Sequence, residues 1–402
     1  MDTEIPLITI GGTPYEMGRQ HGLQVVHLRP LIVEAIKARF AQIKSDGPDE
    51  RFESLVRETT EVLREVDPPI LEMIRGQAEA LELDFDILLR YDLVSYLRED
   101  LITRRAANSA DEGCTTWAAV GSATANGEPL LVKNRDYRPE HLPLQVLATA
   151  TPAVGYRYIY GSSAGSPGVF NSGLNERGLA IADTSVHSTD IGPGLPDYSL
   201  MMHILEEHDT VCSALDYASS APRMGRNNLI LADAGGDVAV VELGYHHFAI
   251  VKARNSIVVN TNHFVSPRLK ESFVDCTPTP VKGNSFHRYA LVRRELEAAR
   301  GSIDVALAQR LMATHAGPLA SICRHLELDG RLATIATTIY QPARRALRFC
   351  HGYPCQSSYQ TITLDNEQGF LFVDSLPDTF PHPLPPDENP ALSGAQSGYL
   401  RP

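Results

Sequence analysis

The pattern of apolar residues changes near residue 113, and this change constrains the fold more than any other feature of the sequence. Before it, one short strand candidate (LITIGG, 7–12) is followed by apolar side chains at helical spacing. The helices that this spacing predicts cover 15–44, 50–66, 69–82 and 86–98. After residue 113, short apolar runs rich in β-branched residues alternate with turn sequences, which predicts β-hairpins.

The strand-rich part begins with two predicted strands, TTWAAVG (115–121) and PLLVKN (129–134). Asn126-Gly127 lies between them, and two-residue type I′ turns prefer this dipeptide because both central residues need a positive φ. Further hairpins are predicted over 229–243, 248–261 and 359–374, and helices over 198–220, 284–299 and 303–313. Antiparallel hairpins separated by helices predict two sheets with helices packed outside them.

These patterns divide the chain into three portions. We expect a mainly helical N-terminal portion over 1–113, a strand-rich portion over 114–376 and a Pro-rich, extended C-terminal tail over 377–402. The segment 103–113 is polar and rich in small residues, which indicates an exposed connection between the first two portions.

The charge balance and the lack of long apolar runs exclude several classes. The net charge is -13 and the 36 Lys and Arg residues form no basic run, which argues against a nucleic-acid partner. No segment approaches the roughly 20 apolar residues that a membrane helix needs, so no membrane partner is expected. The N-terminus MDTEIP carries acids where a signal peptide has a basic region. A cytoplasmic location is therefore expected.

The six cysteines are scattered, without the dense spacing of a disulfide scaffold, which favours a reducing compartment. Cys350, His351 and Cys355 lie close in sequence, but no second pair completes a zinc ligand set, so no metal is expected. Cys323 lies two residues before His325, and we expect it to pack in a helix or turn rather than to act as a nucleophile. There is no phosphate-binding loop or dinucleotide fingerprint, and no cofactor is expected.

The junction Gly113-Cys114 lies where the pattern changes. Glycine has no side chain, so its carbonyl group is accessible to the following thiol. An N→S shift would give a thioester, and hydrolysis would release pieces of 113 and 289 residues, the second beginning with Cys114. The new α-amino group, with a pKa of about 7.7–8 in peptides, could serve as the base for its own thiol. The alternative is a buried structural cysteine in a strand.

A series of motifs in order along the chain carries a resemblance to a known family. They are GTPYEMGRQHG (12–22), DEGCTT (111–116), KNRDY (133–137), FNSGLNERGLAIA (170–182), RNNLILADAGGDVAVVE (226–242), NTNHF (260–264) and SICRH (321–325). The sequence resembles the penicillin acyltransferase (isopenicillin N acyltransferase-like) family of N-terminal nucleophile (Ntn) hydrolases, in the self-processing cysteine type. The resemblance implies an α+β fold, a four-layer αββα sandwich of two antiparallel sheets.

The same resemblance implies roles for three residues. Cys114 would be the nucleophile, Asp136 would hydrogen-bond its α-amino group, and Asn262 would donate its amide NH₂ to the oxyanion. One turn joins the two strands concerned, so Asp136 should lie beside the start of the first strand. The structural alternatives are a surface ion pair between Asp136 and Arg135, and a turn cap for Asn262. His263 is expected to be a satisfied core histidine.

Further residues are candidates for binding the substrate or for orienting the nucleophile's partners. Arg288 and Arg324 would hold the polar end of a substrate or orient Asp136, and Arg135 lies next to Asp136 in sequence. Related bile-salt hydrolases have a second oxyanion asparagine after the Asn-Glu-x-Gly-Leu hairpin. This chain has DTSVH there, so the second donor near Ser185 would be a hydroxyl or a backbone N–H.

The resemblance therefore implies an amidase or acyltransferase acting on a linear amide, such as an N-acyl amine or N-acyl amino acid. The partners would be that small molecule, an amine or thioester that accepts or supplies the acyl group, and the chain's own cleaved N-terminal piece. Homo-oligomerisation stays open. Two alternatives also stay open: an unprocessed binding or scaffold protein of the same fold, and a metal-dependent amidase.

Overall fold

The computed structural model describes residues 7–105, 113–253, 256–279, 281–329, 331–365 and 369–373. Residues 106–112 of the predicted connection and the predicted tail from residue 377 lie outside this part of the chain. The helices within it are α1 (Pro14–Gln24), α2 (Arg29–Asp46), α3 (Glu50–Val66), α4 (Pro68–Ala80), α5 (Phe85–Arg104), α6 (Asp197–Glu207), α7 (Val211–Ser220), α8 (Asn284–Ala298), α9 (Val305–Met312), α10 (Gly317–Ala320) and α11 (Leu326–Asp329).

The described strands form two sheets. Their bounds are β1 (Leu7–Gly12), β2 (Gly113–Gly121), β3 (Gly127–Tyr137), β4 (Gln145–Pro152), β5 (Tyr158–Ser163), β6 (Ser172–Asn175), β7 (Ala180–Ser185), β8 (Asn227–Ala232), β9 (Val238–Leu243), β10 (Phe248–Lys252), β11 (Ile257–Asn260), β12 (Ala333–Gln341), β13 (Ala346–His351), β14 (Tyr359–Asp365) and β15 (Gly369–Val373). Sheet A has the order β1-β4-β5-β6-β7-β8-β9-β10, and sheet B has the order β11-β2-β3-β12-β13-β14-β15.

Three buried apolar clusters separate four layers. The first packs α1–α7 against one face of sheet A, with Ile74 and Leu229 among its members. The second fills the space between the sheets and contains Leu131 and Ile230. The third, around Trp117, packs sheet B against α8 and α9. The predicted α+β class and αββα sandwich are therefore confirmed, and one pair of strands departs from the antiparallel expectation, because β1 and β4 are parallel.

Helix boundaries follow the capping residues, and two predicted helices are split. Thr13 forms a capping box with Glu16 at the start of α1. The helix predicted over 15–44 is interrupted at 25–28, because Pro30 lacks a backbone N–H and is tolerated in the first turn of a new helix but not in a helix interior. The helix predicted over 198–220 is likewise two helices, with Thr210 capping the second.

No described helix combines the length and the apolar character that a membrane-spanning helix needs.

The β2–β3 hairpin differs from the expected two-residue turn. Gly121 pairs with Gly127, so the loop consists of residues 122–126. The backbone N–H of Ala125 donates to the carbonyl oxygen of Ile303 at 2.9 Å. This contact ties the loop to the segment before α9, which accounts for its extra length. The register of the hairpin places Gly113 opposite Asp136.

Candidate active site

Cys114 is the second residue of β2, an interior strand of sheet B. Ala118 packs between the sheets, whereas Trp117 packs against α8 and α9. Because side chains alternate along a strand, Cys114 faces the side of sheet A and Thr115 faces the helices. The thiol is buried and lies at the wall of a cavity of about 40 Å³ between the sheets and α5.

Gly113 is enclosed by two charged side chains of the predicted site. A methyl group on its Cα would lie 3.1 Å from Nη1 of Arg324 and 3.3 Å from a carboxylate oxygen of Asp136. Both distances are shorter than ordinary contacts of a Cβ atom, so the position favours glycine for its small size. The structure thus brings Asp136 to the start of β2, where the hairpin geometry predicted it, and it places Arg324 beside the same Gly113-Cys114 bond.

Asn262 contacts the nitrogen of the same bond. The backbone N–H of Cys114 donates to Oδ1 of Asn262 at 2.9 Å, and Nδ2 of Asn262 donates to the carbonyl oxygen of Ser185 at 3.0 Å. The orientation of the amide differs from the expected one, because its oxygen faces Cys114 and one of its N–H bonds is engaged by Ser185. The role of Asn262 at an oxyanion stays a prediction. Ser185 contributes its carbonyl oxygen here rather than a donor.

Arg288 fixes this orientation of the asparagine. Its Nη2 donates to Oδ1 of Asn262 at 2.8 Å and to Oδ1 of Asn284 at 3.0 Å, and its Nε donates to the same Asn284 oxygen at 3.2 Å. Its Nη1 donates to the carbonyl oxygen of Cys114 and to Oγ1 of Thr115. A guanidinium has five N–H donors, and all five are used within the protein. Arg288 therefore holds the strand of Cys114 and Asn262 with the donors that could otherwise reach a small molecule.

The Arg288 guanidinium stays protonated although it is completely buried. Burial and the repulsion from Arg324 lower its pKa to about 10, while Asp136 and Cys114 act in the opposite direction. This pKa still lies well above neutrality, so the guanidinium is charged at physiological pH. The hydrogen bonds that it donates to Asn262 are therefore charge-assisted, and roughly twice as strong as neutral ones.

Asp136 is held by β12. The hydroxyl of Thr334 donates to Oδ1 of Asp136 at 2.6 Å, and the same hydroxyl accepts the backbone N–H of Arg324 at 2.8 Å. The register between β3 and β12 shifts next to this pair, between Thr334 and Ala336. Such irregularities in a ladder re-aim side chains next to functional sites. Thr334 connects Asp136 to the segment that carries Arg324.

The cavity side of the thiol carries cations and aromatic rings. Arg135 lies opposite Cys114 in the hairpin, and its Nη1 donates to Oε1 of Gln145 at 3.0 Å. Its guanidinium lies 5.2 Å from the ring centre of Tyr137, so the surface ion pair with Asp136 considered from the sequence is not what engages it. Tyr96 and Phe170 also line the cavity, with ring centres 5.5 Å apart.

Lys133 is a cavity residue to which the sequence assigned no role. Its Nζ is buried and donates to the carbonyl oxygens of Asn171 at 3.0 Å and Asp183 at 2.8 Å, and it forms an ion pair with the Asp183 carboxylate. Lys133 belongs to the KNRDY motif, so its position in the strand was predictable. Its partners lie 38 and 50 residues away, and nothing in the local sequence identifies them.

His263 fits its predicted place in the core. It is buried, its Nδ1 lies 2.8 Å from Oγ of Ser285, and burial lowers its pKa to about 4. The imidazole is therefore neutral at physiological pH. It supports the segment after Asn262 without reaching the thiol's hydrogen-bonding partners.

A four-layer αββα sandwich of two largely antiparallel sheets is the fold of the Ntn hydrolases. In this chain Cys114 lies at the start of an interior strand of that sandwich, close to an aspartate, an asparagine and two arginines. The chain belongs to the acyl-coenzyme A:6-aminopenicillanic acid acyl-transferase family, whose model matches residues 122–356. The matched span begins after Cys114 and includes Asp136, Asn262 and both arginines.

Other similarities are more distant. An uncharacterized protein of Archaeoglobus fulgidus is 23% identical over an alignment of 348 residues that covers 76% of this chain and 57% of that protein, so the chain spans little more than half of that relative. A mutant of the conjugated bile acid hydrolase from Clostridium perfringens is 12% identical and superimposes with a TM-score of 0.46 over 65% of this chain and 97% of that one. Penicillin V acylase from Agrobacterium tumefaciens is 16% identical, with a TM-score of 0.44 over 64% and 89%.

Proposed function

We propose that the chain cuts its own Gly113-Cys114 bond and then acts as an N-terminal-cysteine amidohydrolase or acyltransferase on a linear amide. The observation that carries this proposal is the enclosure of one peptide bond by Asp136, Asn262 and Arg324. A buried structural cysteine needs no such set of polar groups around the bond before it. Family membership supports the same class of chemistry.

Self-cleavage would begin with attack of the Cys114 sulfur on the carbonyl carbon of Gly113. The C–N bond breaks, the nitrogen of Cys114 takes up a proton and becomes an amine, and Gly113 is left as a thioester on the sulfur. Water then hydrolyses the thioester and leaves a Gly113 carboxylate and a free thiol. Asn262, which already accepts the N–H of Cys114 at 2.9 Å, would keep the nitrogen in place through both steps.

The free α-amino group would then serve as the base for the thiol. The thiolate attacks the acyl carbon of an amide substrate, the amine leaves with a proton relayed by the α-amino group, and a Cys114 thioester remains. Attack by water gives hydrolysis, and attack by a second amine or a thiol gives acyl transfer. Asp136, beside the junction, is placed to orient the ammonium that forms on the way.

The cavity combines one aromatic wall with charged residues, which suits an acyl group with an apolar body and a polar substituent. Tyr96 and Phe170 form an aromatic wall, and Arg135 supplies a cation that suits a polar substituent. The present volume of about 40 Å³ holds a few water molecules at most, not an acyl chain. We therefore infer that release of Gly113 from Cys114 makes room that a substrate needs.

The N-terminal piece would stay bound after cleavage. Its strand β1 pairs with β4 in sheet A, and its helices share the largest apolar cluster with that sheet. A buried ion pair adds to this, with Oε2 of Glu99 at 2.7 Å from Nδ1 of His187. Burial alone opposes both charges, but their mutual attraction prevails, so the pKa of Glu99 is lowered and that of His187 is raised.

Intact-mass measurement of the purified protein tests self-cleavage. Wild type is expected as pieces of 113 and 289 residues, about 12 and 32 kDa as shares of the 44.1 kDa chain, and Cys114→Ala as one chain of full mass. Cys212→Ala, which removes an exposed cysteine, should cleave as wild type does. A wild-type chain that stays whole would refute the proposal and favour the unprocessed scaffold.

A second measurement tests the acyl transfer itself. Cleaved wild type is incubated with a panel of N-acyl amines and N-acyl amino acids of increasing apolar length, and the mass of the 289-residue piece is recorded at short times. An added acyl mass on Cys114 is expected, together with release of the amine. Activity that survives alkylation of the thiol and disappears with a chelator would instead establish the metal-dependent amidase.

A further inference from the structure

Four side chains with metal-binding atoms meet around the segment that carries Arg324, two of them exposed. His315, Cys323, His325 and Cys355 each contribute one ligand atom, and all four atoms lie within 4.8 Å of one another. They come from three separate segments of the chain. Thiolate sulfurs and imidazole nitrogens are the ligands that zinc prefers in structural sites.

The three distances among Cys323, His325 and Cys355 are close to the edges of a tetrahedral site. In a zinc site with Zn–S of about 2.3 Å and Zn–N of about 2.0 Å, two sulfurs are about 3.8 Å apart and a nitrogen and a sulfur about 3.6 Å apart. Here the sulfurs of Cys323 and Cys355 are 3.6 Å apart. Nε2 of His325 lies 3.6 Å from the first sulfur and 3.2 Å from the second. Three ligands therefore already occupy one face of a tetrahedron.

The protein backbone holds these ligands close together. The N–H of Cys323 donates to the carbonyl oxygen of Thr314 at 3.1 Å, which keeps the neighbouring His315 beside it. The ring of His325 stacks on that of Tyr353, with ring centres 4.0 Å apart and planes 7° apart. This stacking aims Nε2 at both sulfurs, as a supporting contact does for a metal-bound histidine.

We propose that these four residues bind one zinc ion. Two thiolates, two neutral imidazoles and Zn²⁺ give a site without net charge, which suits its partly buried position. Four protein ligands leave no open position for water, so the ion is structural. The sequence did not predict this site, because the spacing His-x₇-Cys-x-His-x₂₉-Cys contains no close Cys pair and depends on the β13–β14 turn.

A disulfide between Cys323 and Cys355 is the competing arrangement. Their sulfurs are 3.6 Å apart, whereas a disulfide bond measures about 2.05 Å. A disulfide would also leave both histidines without a function at this point. The distances and the two imidazoles favour the metal.

The ion would determine the position of Arg324, which lies between two of the ligands. Cys323 and His325 flank it directly, and its Nη1 is the group closest to Gly113. Binding zinc would hold this segment and so present the guanidinium to the peptide bond. This consequence rests on the proposed self-cleavage, whereas binding of the metal does not.

Elemental analysis tests the site directly. The full chain is produced with zinc in the medium, purified without a metal-affinity column and dialysed. About one zinc per chain is expected, falling at least about tenfold in Cys355→Ser and in His315→Ala, both substitutions at exposed side chains. Cys212→Ser, at another exposed cysteine, should keep the metal. Wild type without zinc, or Cys355→Ser with as much zinc as wild type, would overturn the proposal.

Two further readouts separate the outcomes. Apo protein titrated with Co²⁺ should develop the visible bands of tetrahedral, thiolate-bound cobalt, and Cys355→Ser should not. An intact mass two units low without reductant, with no metal uptake after reduction, would identify the disulfide and refute the zinc site. If zinc binds but its removal leaves the cleavage rate unchanged, only the consequence for Arg324 fails.

Discussion

Two regions of the molecule each present a buried arginine to the Gly113-Cys114 bond, and they hold it in different ways. Arg288 lies on α8, a helix of 15 residues, one turn after Asn284, and the protein uses all five of its donors. Arg324 lies in a segment between the short helices α10 and α11, anchored through its backbone to Thr334. A long helix can hold an arginine by its own hydrogen bonds, whereas a short irregular segment needs an external tie.

The difference between α8 and the segment around Arg324 indicates where a bound metal ion would stabilise such a fold. Helix α8 packs through Leu291, Val292 and Leu296 against sheet B, so its position is set by apolar burial. The segment around Arg324 also buries Ile322 in the same apolar cluster, but it lies between two helices of only four residues each. Its neighbours Cys323 and His325 would supply ligands to the proposed ion. Small structural units without enough apolar area are commonly held by metal ions or disulfides.

The largest expected effect comes from Arg288→Ala. The substitution leaves Asn262 and the Cys114 carbonyl without their buried cation, so self-cleavage should slow by about 100-fold or more. Stability should fall by about 3–5 kcal/mol. Cleavage is followed by gel and stability by urea unfolding. Arg294→Ala, at an exposed arginine of the same helix, should change stability by less than about 0.5 kcal/mol.

Arg288→Lys is the control that separates loss of cleavage from misfolding in Arg288→Ala. Lysine keeps the charge but cannot reproduce the planar fork, so a folded protein that cleaves slowly is expected. If Arg288→Lys cleaves at the wild-type rate, cleavage does not depend on the five N–H donors of the Arg288 guanidinium.

Arg324→Ala should have a smaller effect. Its guanidinium lies near Gly113, on the carbonyl side of the bond, whereas Arg288 holds both Asn262 and Cys114. We therefore expect about a tenfold slower cleavage, equal to about 1.4 kcal/mol in the barrier. The rate constant from a time course of intact masses gives the answer. Arg324→Ala slower than Arg288→Ala would reverse the comparison between the two regions.

A double-mutant cycle asks whether the metal acts through Arg324. Cys355→Ser alone should slow cleavage by about three- to tenfold, and combining it with Arg324→Ala should add little, because coupled residues are not additive. Combined with Arg288→Lys, the two effects should multiply. If the changes in the cleavage barrier are additive in both double mutants, the ligand cluster does not position Arg324.

The smallest expected effect belongs to Gly113→Ala. Its methyl group would lie 3.1 Å from Nη1 of Arg324, and the end of this long side chain can yield by a few tenths of an ångström. We expect cleavage to slow by about two- to fivefold, under about 1 kcal/mol. In the Arg324→Ala background the methyl group should slow cleavage even less. If Gly113→Ala slows cleavage equally in both backgrounds, the methyl group instead contacts Asp136.

The sequence predicted the layers and the site to different degrees. The two periodicities, 3.6 and 2 residues, fix which segments are helices and strands, and the hairpin from Cys114 to Asp136 follows from one turn. The resemblance placed Asn262 and both arginines near the thiol.

The parts that escaped prediction depend on contacts between distant segments. The orientation of the Asn262 amide depends on Arg288 and Ser185, which lie 26 and 77 residues away. The ion pair of Lys133 with Asp183 and the four-ligand cluster arise in the same way. The break in the first predicted helix was available locally, because Pro30 marks it.

The parallel pairing of β1 with β4 has a consequence for how such a molecule could be made. Once the bond before Cys114 is cut, sheet A becomes a joint product of two chains, with its first strand supplied in trans. A 289-residue piece produced alone would expose the edge of β4 and a broad apolar face, and so would be prone to self-association. The N-terminal piece would then supply β1 and cover that apolar face while the larger piece folds. A molecule made from two separate pieces should therefore assemble only when the pieces are co-expressed.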